Sequence, residues 1–61
     1  MADGSRIREL RTRRGLLQRE LAEMAGVTES AVRNYELGLR TPRPQHLEAL
    51  AGALGVAPAA L

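Results

Sequence analysis

The sequence predicts an all-α domain assembled from short helices, and three observations carry that expectation. Of its 61 residues, ten are alanine and ten leucine, with one tyrosine and no phenylalanine or tryptophan. Such a composition suits helices that approach closely through small side chains, whereas a β-sandwich wants β-branched and aromatic residues. No segment alternates apolar and polar residues with period two. Glycine and proline at Gly15, Gly26, Gly38, Pro42, Pro44, Gly55 and Pro58 cut the chain into four short segments and a stub. A domain of this length has room for one core, and it buries only about 60% of what its unfolded chain exposes.

The first segment runs from about Ser5 to Arg14, with Ser5 as N-cap, Gly15 as a left-handed stop, and Ile7, Leu10, Arg11 and Arg14 on one side. Met1 to Gly4 ahead of it read as a disordered tail, which leaves 5–61 as the folded domain. The second segment spans about Gln18 to Ala25, turns Leu21, Ala22 and Ala25 inward, and ends at Gly26. Thr28 caps the third, where Val32 and Tyr35 form an inner i, i+3 pair before Gly38, and Glu29 suits the positive end of the helix dipole. The fourth opens with Pro44 in its first turn, repeats Leu47, Leu50, Ala51 and Leu54, and stops at Gly55. Pro58 begins a last turn toward Leu61, so that Val56 and Leu61 close the bottom of the core.

Composition also removes several classes of function. The absence of cysteine excludes disulfides, thiolate metal sites and thiol nucleophiles. His46, the only histidine, lacks a partner at metal-ligand spacing and reads as a surface residue, so no metal or cofactor is expected. One histidine and no paired carboxylates leave no catalytic constellation to assemble, which argues against an enzyme. No apolar run reaches the roughly 18 residues of a membrane span, and the N-terminus lacks the apolar stretch of a signal peptide, so the expected location is cytoplasmic. Nine arginines against seven acids give a net charge of only +2. Its distribution is uneven: residues 1–20 hold six arginines and three acids, residues 21–61 three arginines and four acids.

The residues from Gln18 to Leu37 have the spacing of two short helices joined by a turn at Gly26, where the chain must take a positive φ that is cheap only for glycine. Ala22 is small where those helices cross. With this motif at its centre, the chain carries IRELRTRRGL at 7–16, QRELAEMAGVTESAVRNYELG at 18–38 and TPRPQHLEALAGALGV at 41–56. In these three blocks, and in their order, it resembles the Cro and CI type of helix-turn-helix domain, the Xre family of phage repressors, bacterial regulators and some antitoxins. The resemblance covers Ile7 to Leu61 and implies a compact, lambda-repressor-like bundle of five short helices that reads double-stranded DNA through its third helix, about 28–37.

On a helical wheel Val32 and Tyr35 face inward and leave Ser30, Arg33, Asn34 and Leu37 on the outer arc. In a helix-turn-helix the second helix of the motif enters the major groove, which puts Thr28, Glu29, Ser30, Arg33 and Asn34 within reach of base edges or flanking phosphates. Arginine can bond guanine O6 and N7, and asparagine adenine N6 and N7, so Arg33 and Asn34 are the first choices for direct readout. Glu29 at the groove surface repels phosphate unless it meets a cytosine amine or caps its own helix, and capping is the safer assignment. Gln18 matches the family position that bonds a phosphate beside the reading helix, the alternative being an ordinary exposed glutamine. Arg40 and Arg43 flank the loop from which the family reaches the DNA backbone, or are solvated loop residues. Arg13, Arg14 and Arg19 lie near the same edge and read chiefly as solvent-facing charges. Leu37 and Leu39 are exposed apolar candidates for a thymine methyl, a partner subunit or plain solvent.

Two charges fall on inner faces, Arg11 beside Ile7 and Glu36 beside Val32. We expect them to pair and join the first and third helices, as the resemblance also implies, with a structural role. Two positions depart from the family: Leu17 stands where a threonine or serine usually caps the second helix, and Arg43 replaces the usual cap before the fourth. The expected function is sequence-specific DNA binding by a prokaryotic or phage transcriptional regulator acting as a repressor, working as a homodimer on a palindromic operator or as part of a longer chain. Pairing through the Leu54 to Leu61 end is one way to form the dimer. The alternative is a protein-interaction module of the same fold, an antitoxin or adaptor, which the low net charge and Glu29 favour.

Overall fold

A computed structural model describes residues 4–61 and contains α1 (Gly4–Arg13), α2 (Gln18–Ala25), α3 (Glu29–Glu36), α4 (Pro44–Leu54) and a single 3-10 turn (Pro58–Ala60). The expected fifth helix is therefore one turn. Pro58 contributes no N–H, and the segment closes with two i→i+3 bonds, Ala60 N–H to Ala57 O and Leu61 N–H to Pro58 O. The proposed tail falls mostly on residues 1–3, outside the described residues. Gly4 itself opens α1, which places Ser5 inside the first turn rather than at the cap. Gly4 is where α1 meets the end of α3: a Cβ there would collide with the Tyr35 carbonyl oxygen.

The helix ends follow local rules. Gly26 has φ 71° and hands the chain on with a Val27 N–H to Ala22 O bond of 3.0 Å, so the turn between α2 and α3 is closed by a left-handed residue. Thr28 Oγ1 accepts from Ala31 N–H at 3.0 Å and caps α3. Glu29, for which capping was expected, is exposed in the first turn and leaves that hydrogen bond to Thr28. Leu17 supplies no side-chain cap and stays 56% exposed, yet half of the missing interaction returns because its N–H donates to Glu20 Oε1 at 2.8 Å. At α4, Arg43 makes no side-chain cap and Pro44 sits in the first turn, where its lack of an N–H costs nothing.

α2 lies centrally, packed against both α3 and α4, while α1 lies on α3 and the 3-10 turn on α4. Ile7, Leu21, Val32, Leu50 and Leu54 are the largest fully buried side chains, and Ala22, Ala25, Ala31 and Ala51 fill the spaces where helices approach. Tyr35 is buried as a core residue. Leu54 and Leu61 are also spent on the core, so the end suggested for pairing exposes Gly55, Ala57, Pro58 and Ala59 instead. Two arginines tie distant pieces together: Arg14 Nη1 donates to Leu54 O at 3.0 Å, covering the end of α4, and Arg6 Nε donates to Ala60 O at 3.3 Å.

His46 departs from the surface position expected of it. It is half-buried, and its Nδ1 is shielded from solvent without a hydrogen-bond partner among the described residues. A buried, unpaired polar atom costs about 1–3 kcal/mol. Replacing it with an apolar side chain of similar reach, His46→Leu, should therefore raise stability by about 1 kcal/mol, or roughly 4–8 °C in midpoint for a domain this small. A thermal melt that shows no increase would mean that the imidazole has found a partner in solution.

Candidate nucleic-acid interface

The end of α3 is fastened to α1 and α2 by one polar cluster. Arg11 Nε donates to Glu36 Oε2 at 2.6 Å and Arg11 Nη2 to Glu36 Oε1 at 3.1 Å, so the two groups meet fork to fork. Their side chains are 12% and 3% exposed. Arg11 Nη1 also donates to Leu16 O at 2.8 Å, and Gln18 Nε2 to Glu36 Oε1 at 3.0 Å. The cluster thus gathers the last turn of α1, the loop after it, the first residue of α2 and the last residue of α3. Gln18 is held beside α3 by this bond, with its second amide hydrogen uncommitted among the described residues.

With its inner face fixed by Ala31, Val32 and Tyr35, α3 turns Glu29, Ser30, Arg33 and Leu37 to solvent, while Asn34 is half-buried. Successive helical residues point about 100° apart. Arg33 and Asn34 therefore point about 100° apart on the exposed arc, with Ser30 between them and Asn34 at one flank. On the Arg33 flank a cleft of about 250 Å³ is lined by Arg8, Arg11, Gln18, Arg33, Glu36 and Leu37. On the other side of the helix a second cleft, about 230 Å³, brings Thr28 and Ala31 together with Tyr35, Arg40 and His46. The Arg40 guanidinium lies 6.0 Å from the centre of the Tyr35 ring, a cation–π contact that orients the loop arginine while leaving it exposed. Arg43 is exposed just ahead of α4.

Arg13, Arg14 and Arg19 are all exposed, as expected, with Arg13 lying 3.8 Å from Glu9; Arg14 differs in also capping α4 through its Nη1. Arg8 had no assignment, although it stands three residues before Arg11 on the same helix face and borders the cleft beside Gln18. That i, i+3 relation was the signal available for it. Leu37 and Leu39 are 63% and 75% exposed at the end of α3. Among the described residues no cluster of histidine and carboxylate groups could hold a metal ion, and no helix is long and apolar enough to cross a membrane.

A family model described as helix-turn-helix matches residues 7–61. The immunity repressor protein of Bacillus phage phi105 is 41% identical over 56 residues, which is 92% of this chain and 39% of that protein. The chain spans well under half the length of the curated relatives it matches. Among solved structures, the restriction-modification controller protein C.AhdI from Aeromonas hydrophila superposes with a TM-score of 0.91 at 40% identity, over 93% of this chain and 86% of that one. The P22 c2 repressor, solved in complex with a synthetic operator, superposes with a TM-score of 0.88 at 34% identity, over 90% of this chain and 83% of its own.

Proposed function

The chain belongs to the Cro and CI type of helix-turn-helix family, and from that premise we propose that it is the DNA-reading domain of a prokaryotic or phage transcriptional regulator, acting as a repressor. The observation that carries this reading is the position of α3: capped by Thr28, locked at its far end by Arg11 and Glu36, and offering Glu29, Ser30 and Arg33 outward with Asn34 at the flank. The likeness to a repressor solved on its operator supports placing that row in the major groove. Backbone contacts then come from Gln18 on one side of the helix and from Arg40 and Arg43 on the other. A DNA target puts its work in the cytoplasm, at the nucleoid.

The dimensions favour two copies. The domain measures 24 × 21 × 19 Å, whereas half-sites on one face of DNA repeat about every 34 Å, so a single copy covers one half-site. We accordingly assign the active form as a homodimer on a palindromic operator. The exposed Leu37 and Leu39 favour a second reading, a protein-binding module of the same fold such as an antitoxin or adaptor.

Fluorescence-anisotropy titration against a random duplex library, with selection and sequencing of the bound fraction, separates the two. DNA reading predicts a palindromic consensus and affinity that falls steeply with salt. Asn34→Ala should erase the preference at one position of each half-site, a loss of about 1–3 kcal/mol or roughly 5- to 150-fold. Absence of binding at low salt would leave the protein-interaction reading standing alone.

A further inference from the structure

Of the side chains around the cleft between α1, the start of α2 and α3, two are charged and uncommitted. Arg11 and Glu36 neutralise each other, and Gln18 bonds Glu36. Arg8 and Arg33, both exposed, make no side-chain hydrogen bond or ion pair among the described residues. They line the cleft from different helices, and with Arg11 and Glu36 neutralising each other they leave it with an excess of two positive charges. Two guanidinium groups at one cleft without a carboxylate to share favour an anion held between them. Guanidinium presents paired N–H donors matched to phosphate oxygens. Gln18 adds an uncommitted amide hydrogen on the same rim.

We infer that this cleft seats one phosphodiester of the bound duplex between Arg8 and Arg33, so that Arg8 is a backbone-contacting residue and Arg33 grips the backbone rather than a base. The inference rests on the DNA-reading function proposed above and divides its residues. Arg33 lines the cleft together with Arg8 of α1, and an arginine extended toward the cleft cannot at the same time reach straight into the groove. Base reading then falls to Ser30 and Asn34, and the two arginines fix the angle at which α3 enters. Because they share one phosphate, the effects of removing them are coupled and do not add.

The test uses the whole chain with Arg8→Gln, Arg33→Gln and both together; each side chain is exposed, and circular dichroism melts verify that the variants fold. The double variant should lower the slope of log affinity against log salt by about 0.9 for each bound copy, the contribution of one phosphate, hence about 1.8 for the homodimer, and weaken the selected and random duplexes alike. Each single variant should lower the slope by less, and Arg33→Gln should leave the selected consensus intact. Duplexes carrying one neutral methylphosphonate, scanned along the backbone, should reveal a linkage at which the unaltered protein loses affinity and the double variant does not. An unchanged slope in the double variant, the absence of any such linkage, or a consensus relaxed at one base pair by Arg33→Gln overturns the inference while the DNA-reading function stands. Failure of the unaltered protein to bind any duplex at low salt overturns both.

Discussion

Arg11→Ala is expected to remove about 3–5 kcal/mol of stability, because it strands a carboxylate whose side chain is 3% exposed. The Glu36 oxygens would lose two of their three hydrogen bonds and keep only the Gln18 amide. Glu36→Ala should cost a similar amount by leaving Arg11 with the Leu16 carbonyl alone. At roughly 0.05–0.15 kcal/mol per residue, a chain of this length holds about 3–9 kcal/mol in total, so either variant brings the domain close to unfolding at ambient temperature. Burying a charged pair is itself expensive, and an apolar pair of similar volume often does as well. Arg11→Met with Glu36→Leu should accordingly be more stable than either single replacement. Urea unfolding of the three variants checks this. A double variant less stable than both singles would mean that the pair contributes through its contacts to Leu16 and Gln18 rather than through mutual neutralisation.

That pair was legible in the sequence for a simple reason: each member is a charge on a face otherwise given to the core, Arg11 beside Ile7 and Glu36 beside Val32. Helix limits were legible where one residue settles the conformation, as with Gly26, Thr28, Pro44 and Gly55. What escaped depends on approach between distant segments. Arg14 caps a carbonyl forty residues away, which no local pattern announces. Gly4 belongs to α1 because its missing side chain lets the first turn reach the end of α3, a fact invisible until the two helices are docked. His46 looked like a surface residue because the helical pattern of α4 says nothing about the loop that carries Arg40 over Tyr35 and walls the same cleft. For the interface, sequence identified the arc of α3 that faces outward. It could not tell that Arg33 and Arg8 line one cleft, since they lie on different helices.

The composition that made the fold legible also makes it fragile at one point. Leu21 is fully buried on α2, the helix that packs against both α3 and α4. Truncating a buried leucine to alanine costs about 2–5 kcal/mol, and the spread depends on how far the neighbours can move into the space. The core it belongs to includes Ala22, Ala25, Ala31 and Ala51, which have no side-chain length to extend and no rotamers to change. Leu21→Ala should therefore fall in the upper part of that range. Ile7→Val, at an equally buried site on α1, removes one methyl and should cost only about 0.5–1.5 kcal/mol. Because α2 presents Gln18 and supports α3, the cavity also loosens the geometry that the proposed DNA reading requires. Affinity for duplex DNA measured well below the variant's own melting temperature should fall further than its folded fraction does. A loss under about 1 kcal/mol would show that the helices close around the vacancy, and the rigid spacing of α2 against α3 would then have to come from the Arg11, Gln18 and Glu36 cluster alone.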